Sequence, residues 1–176
     1  MSAAGSKSDS VAAHESKDLE QIFDACFASS YSTVLVGGAP EPLYVPSARA
    51  PREPHKVIYR EDFFASALHE VAHWCIAGSK RRKLDDYGYW YAPDGRNPLE
   101  QEEFERVEAR PQALEWIFSE ACGWEFQLSA DNLEGDAEPS ETVRRAVAAQ
   151  REAYLSEGLP LRATTFRSAL KSLLAR

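Results

Sequence analysis

The stretch SALHEVAHWCIAG, Ser66 to Gly78, decides how the rest of the chain is read. On a helix running from about Asp62 to Ala77, Phe64, Leu68, Val71 and Cys75 fall on one side, while Ala65, Ile76 and His73 flank His69. Such a helix is apolar almost all round and belongs at the centre of a domain. Gly78 is placed to take the left-handed conformation that ends it, and the basic run that follows complements the helix dipole. His69 and His73 stand four residues apart, with Glu70 directly after the first. Residues at i and i+4 share a helix face with Cβ atoms roughly 5–6 Å apart, so two imidazoles can grip one metal ion. With 4 histidines in the chain, this HExxH pattern is hard to reach by chance. A pair of hydrogen-bonded core histidines is the plainer alternative. Each ring then needs partners for both nitrogens, whereas a metal satisfies one on each.

Two imidazoles need at least one further ligand. His14 falls in an unpatterned leader and His55 precedes a strand by itself, so a carboxylate is the better candidate. Most glutamates of EQEEFERVEARPQ, from Glu100, read as solvated helix charge. Glu108 differs: it follows Phe104 by four residues and Val107 by one, bordering an apolar stripe just before Pro111. Glu105, one turn back, is the next choice. Two His and one carboxylate admit zinc with an activated water, Glu70 then being the general base. They equally admit ferrous iron on a facial triad with positions left for dioxygen. Spacing does not separate the two.

Around this helix the pattern is α+β: a mostly helical single domain with a small antiparallel sheet and a zincin-like HExxH helix at its core. Residues 1–16 lack hydrophobic period and read as a disordered tail, leaving 17–176 as the domain. Leu19, Ile22, Phe23, Cys26 and Phe27 recur at helical spacing, with Asp18 as N-cap and Gln21 as third helical residue. STVLVGG, EPLYVP and HKVIYR are short strand-like runs bounded by Gly and Pro. A further helix opens at Asn97, with Pro98 and Glu100 completing a capping box. It is expected to break near Arg110, restart at Pro111 and stop at Gly123. Two more helices are expected near 140–157 and 165–175. The formal net charge of −8 disfavours direct contact with nucleic acid, apart from the local run Lys80 to Lys83. No apolar run is long enough to span a membrane, and the leader has no apolar secretory segment, so a cytoplasmic protein is expected. The 3 cysteines, each within an apolar helical pattern, read as free thiols, and nothing in the sequence calls for more than a monomer.

Beyond the five-residue motif, HEVAHWCIAG, DYGYWYAPDGR, PQALEW and DNLEGD occur in an order and spacing that closely resembles the bacterial elongation factor P hydroxylase family, over roughly residues 18 to 170. The resemblance implies an iron-dependent monooxygenase. It implies hydroxylation of the lysine of elongation factor P after that lysine has received a β-lysyl group, with Fe(II) as cofactor and dioxygen as co-substrate. The family's metal motif of two His and one Glu maps onto His69, His73 and Glu108. This chain departs from the family in its Ser- and Ala-rich leader and in Ala130 before the DNL string. Neither touches the expected ligands. In the hydroxylase reading Glu70 orients ligands or water; in the peptidase reading it is the base. A third reading, an elongation-factor-binding module with a closed structural metal site, requires a fourth protein ligand.

The same strings carry the candidates for substrate binding. Tyr87, Tyr89 and Tyr91 alternate before a turn at Pro93, Asp94 and Gly95, and by default they are packing residues of a strand. Alternatively these tyrosines form an aromatic wall for a lysyl ammonium, with Tyr89 and Tyr91 the chosen candidates and Asp94 and Arg96, by default plain turn residues, beside them. Asp131 and Glu134 of DNLEGD are by default a solvated turn, and alternatively partners for the amines of a β-lysyl-lysine side chain. The Lys80 to Lys83 run is by default a helix end in water, and alternatively a patch that steers the acidic elongation factor P.

Overall fold

In the computed structural model, which describes residues 14–47, 53–89, 96–129 and 139–175, helix α1 (Ser16–Tyr31) is followed by strands β1 (Thr33–Ala39), β2 (Leu43–Val45) and β3 (His55–Arg60). Helices α2 (Phe64–Ile76), α3 (Pro98–Cys122), α4 (Glu141–Glu157) and α5 (Leu161–Leu170) complete an α+β architecture, with 3₁₀ turns at Arg81–Lys83, Asp85–Gly88 and Lys171–Ala175. The three strands form where the β-branched and aromatic runs lie. Their sheet, however, is mixed rather than antiparallel. Its order is β1-β3-β2, with β1 parallel to β3 and only β2 antiparallel to it. Residues 40–42 turn the chain back after β1. A linker of three residues reaches about 10 Å, enough to skip one strand position at about 4.8 Å spacing, so β3 slots between its predecessors. The register slips between Val36 and Ala39. Gly37 lies there, and a Cβ on it would sit 2.5 Å from the Tyr59 ring and 2.7 Å from the Glu61 carbonyl.

Helix α2 is central. Ala67, Leu68, Val71, Ala72 and Trp74 are fully buried, and the helix meets α1, α3, α5, β1 and β3. Phe23 and Phe27 of α1, Trp74 of α2 and Phe166 of α5 pack ring against ring. Gly78 is not the left-handed terminator of α2. The chain leaves the helix at Ala77 in an extended conformation, φ −60° and ψ 123°, and guanidinium groups serve the terminal carbonyls instead. Arg162 donates to Cys75 O at 3.0 Å and to Ala77 O at 2.6 Å, and Arg82 donates to Ala77 O at 2.7 Å. The Arg162 guanidinium also lies 4.5 Å above the Trp74 ring. A glycine cap is redundant once the orphan carbonyls have such donors.

Two further expectations are corrected. The folded chain begins before residue 17: His14 Nε2 lies 2.7 Å from Cys122 O, and its ring is wedged between Phe64 and Trp124, so α1 starts at Ser16 and not at an Asp18 cap. Helix α3 forms its Asn97–Glu100 capping box and ends on left-handed Gly123, but it runs unbroken through Pro111. Proline removes one hydrogen bond, that to Val107 O, and burial of Ala109, Pro111, Gln112 and Ala113 outweighs this loss.

Glu20 joins the helical and sheet layers. Its Oε1 accepts from Tyr59 Oη at 2.8 Å and Gly37 N at 3.0 Å, and Lys17 pairs with it at 2.8 Å. Burial works to raise its pKa, but the Lys17, Tyr59 and Gly37 donors prevail and hold it below the ordinary carboxylate value. A depressed folded pKa contributes stability that is present above the unfolded pKa and lost as pH falls through the folded one. Glu20→Ala is therefore expected to cost about 2 kcal/mol in urea denaturation at pH 7 by orphaning two donors. The gap to wild type should narrow as pH drops below about 4. A gap that stays constant with pH would remove the carboxylate's charge from this account.

Candidate metal centre

Helices α2 and α3 pack against each other, and each turns one polar strip toward the contact. On α2 the strip is His69 and His73, one turn apart. On α3 it is Glu108, Gln112, Glu115 and Ser119, all buried among Phe104, Ala113, Leu114, Ile117 and Phe118. Four buried polar side chains at i, i+4, i+7 and i+11 are costly unless each has a partner. Gln112 exchanges two hydrogen bonds of 3.1 Å with the Ser129 backbone, and Ser119 Oγ donates to Glu115 O at 2.8 Å. The two glutamates meet the histidines.

His69 Nε2, His73 Nε2 and Glu108 Oε2 form a closed triangle with edges of 3.0, 3.3 and 3.4 Å. On its far side, His69 Nδ1 lies 2.8 Å from Glu115 Oε2. A carboxylate only accepts, so Nδ1 carries the proton and the Nε2 lone pair of neutral His69 faces the triangle. Glu108 Oε2 is buried and, among the described residues, has no partner other than the two imidazole nitrogens of the triangle. Three atoms each bonded to one cation at about 2.1 Å stand about 3.0–3.4 Å apart, and these edges fit that requirement. These donors are the one group of three or more His, Cys, Asp or Glu side chains among the described residues arranged to hold an ion. The imidazoles remain 20% and 18% accessible, and among the described residues no fourth His, Cys, Asp or Glu joins the three, which leaves coordination positions open, as a reacting site requires and a closed structural site does not.

Charge explains the protonation of the cluster without a metal. Burial acts to lower the pKa of His69, but the Glu108 and Glu115 carboxylates beside it prevail and raise it well above the ordinary imidazole value; His73 is raised in the same way, chiefly by Glu108. Burial opposes the Glu108 charge, yet His73 and His69 hold its pKa far below the carboxylate range.

Glu70 follows His69 on α2, half-buried, outside the triangle, and it accepts no hydrogen bond from a described residue. Burial pushes its pKa up against the pull of His73 and His69. Glu105 points elsewhere and accepts from Gln101 Nε2 at 3.0 Å. Neither of the other histidines joins the triangle: His14 is docked on Cys122 O, and His55 Nδ1 accepts from Ser47 N at 2.9 Å. Beside His73 opens a cleft of about 560 Å³, walled by Tyr87 and Tyr89 and rimmed by Lys80, Arg81 and Arg110.

Of the residues expected to hold substrate, Tyr89 lies in the cleft wall with the Arg81 guanidinium 4.1 Å above its ring. Arg96 is instead part of the start of α3, stacked 4.0 Å over Phe104 and donating to Gln101 Oε1 at 3.0 Å. Tyr91, Asp94, Asp131 and Glu134 lie outside the described residues. Tyr87 does not belong to a strand; it sits in the Asp85–Gly88 turn with φ 58°. Nor is the basic run simply solvated, since Arg81 donates to Tyr87 O at 3.1 Å and Arg82 serves the end of α2. Glu115 escaped the reading of the sequence because ALEWIF looks like plain core. Its signal was a charge embedded between Leu114 and Ile117, seven residues after Glu108.

The family model described as elongation factor P hydroxylase matches residues 22–176. A protein of Haemophilus influenzae named elongation factor P lysine hydroxylase is 48% identical over 158 residues, covering 89% of this chain and 88% of that relative.

Proposed function

This chain belongs to the elongation factor P hydroxylase family, and on that premise we propose that it hydroxylates a lysine side chain of elongation factor P, in the form that carries a β-lysyl group. His69, His73 and Glu108 hold Fe(II), and dioxygen is the oxidant. The observation that carries this reading is the three-donor triangle with coordination positions left open beside a cleft. Bound there, ferrous iron supplies the oxygen chemistry that breaks an unactivated C–H bond, which organic side chains do not provide. One oxygen atom enters the product and the other leaves as water, so each turnover consumes two electrons from an external reductant.

The protein's own groups do the positioning. Glu115 takes the Nδ1 proton of His69 in a hydrogen bond, fixing the tautomer and the ring plane. Glu108 brings one negative charge to the donor set and is kept ionised by its two histidines. Glu70, with its pKa raised by burial, holds a proton or a water beside the ligands. No helix of the described residues is long and apolar enough to cross a membrane. The proposed reaction is cytoplasmic, because its proposed substrate is a translation factor.

The decisive measurement is the intact mass of β-lysylated elongation factor P after incubation with the iron-loaded protein, a chemical reductant and ¹⁸O-labelled dioxygen. A gain of one labelled oxygen atom is expected, and none under argon. Peptide cleavage that persists without oxygen and disappears in Glu70→Gln would replace this reading with a zinc peptidase.

A further inference from the structure

Two features of Tyr87 are unfavourable in a folded protein. Its backbone sits at φ 58°, next to Asp86 at φ 46°, in the left-handed region that side chains other than glycine seldom enter. Its phenolic oxygen is buried, on a residue 5% exposed, and finds no hydrogen-bond partner among the described residues. Departures of both kinds concentrate where proteins bind or react.

The surroundings fix the ring in this position. It stacks on Tyr44 with centroids 4.4 Å apart and planes inclined by 16°. Asp86 Oδ1 accepts from Tyr44 N at 2.8 Å, and Arg81 donates to Tyr87 O at 3.1 Å, so the strained turn is tied to β2 and to the preceding turn. The Tyr44 hydroxyl in the same stack donates to Arg82 O at 2.8 Å. One phenol of the pair is therefore committed to the fold and the other is not. The residue that carries the uncommitted one is among those that line the cleft His73 borders. Burial first, and then the Glu70 carboxylate, keep it protonated and hence a donor. Among the described residues, the formally charged side chains lining that cleft, Lys80, Arg81, Arg106 and Arg110, are cationic. Arginine and lysine accept no hydrogen bonds. Oxygen acceptors on an entering polypeptide would meet donors on this wall.

We propose that Tyr87 is a substrate-contacting residue, its hydroxyl donating to a carbonyl or carboxylate oxygen of the polypeptide that carries the target lysine. This rests on the proposed substrate, elongation factor P, but not on the oxidation step. The test compares Tyr87→Phe with Tyr44→Phe. Because the Tyr87 hydroxyl has no partner among the described residues, Tyr87→Phe should melt at or above the wild-type temperature, whereas Tyr44→Phe should melt lower. Titration of the metal-free proteins with elongation factor P should give a Kd about tenfold weaker for Tyr87→Phe. Turnover should show KM rising by a similar factor while kcat changes little. A loss that is the same at low and high salt identifies a carbonyl acceptor, and one that shrinks with salt identifies a carboxylate; either supports the assignment. An unchanged Kd, or a melting temperature that falls as far as that of Tyr44→Phe, overturns it. Labelled oxygen in the product together with an unchanged Kd would overturn this inference and leave the proposed reaction standing.

Discussion

Replacing Glu108 by glutamine is expected to reduce bound iron and hydroxylation to below about 1% of wild type at equal metal concentration, while α2 and α3 stay packed. The substitution keeps volume and shape, so no cavity opens in the stripe from Phe104 to Phe118. What changes is charge. Glu108 Oε2 faces two imidazole nitrogens at 3.3 and 3.4 Å and has no other partner among the described residues. A neutral amide in that position either presents a weaker oxygen or turns an N–H into the triangle, where it competes with the cation. Metal content after dialysis and the mass of the product protein measure the two losses independently. Iron retained at one equivalent, with wild-type turnover, would mean that the third donor has been misidentified.

Glu115→Gln is expected to be the next most damaging change that touches no atom of the triangle. It should lower metal affinity and kcat/KM together by roughly 10- to 100-fold, the range seen when an outer hydrogen-bond partner of a metal-bound histidine is lost. The carboxylate lies 2.8 Å from His69 Nδ1 and can only accept, so it admits a single tautomer. Glutamine can also donate. Once it does, the proton moves to Nε2 and blocks the lone pair that a metal needs. Competition with a chromogenic chelator reads the affinity directly. The Glu115→Asp variant, still an acceptor but one methylene shorter, should recover part of it. Equal affinity in wild type and Glu115→Gln would reduce Glu115 to a packing residue.

Much of the architecture was legible in the sequence, because the apolar periods are strong. The three strands lie on the three β-branched runs, the Asn97 capping box forms, and Gly123 and Gly158 end α3 and α4. What escaped depends on contacts distant in the chain. Strand order is invisible in a strand's own alternation, and the parallel pairing of β1 with β3 follows from which gap the third strand fills. Gly78 is a sound local reason for a helix to stop, but two arginines, one of them 85 residues beyond Ala77, take over its task. Pro111 is a sound reason for a break, overridden by burial on both sides. In the centre itself His69, His73 and Glu108 stood out because ligand spacing and an interrupted apolar stripe are both local signals. Glu115 and Tyr87 did not. One was hidden inside a hydrophobic string, and the other was one aromatic among several, distinguished only by a backbone angle and a hydroxyl with no partner among the described residues.

The paired guanidinium groups at the end of α2 have a bearing on synthesis. Both histidines and Glu108 leave the ribosome well before Arg162 does, yet Cys75 O and Ala77 O are met by Arg162, on the same α5 whose Phe166 closes over Phe23 and Phe27 of α1. A nascent chain long enough to contain every donor atom therefore still lacks the clamp that secures the helix bearing two of them. Translation order thus separates the appearance of the donors from their fixation, and the last helix to emerge is the one that fixes them.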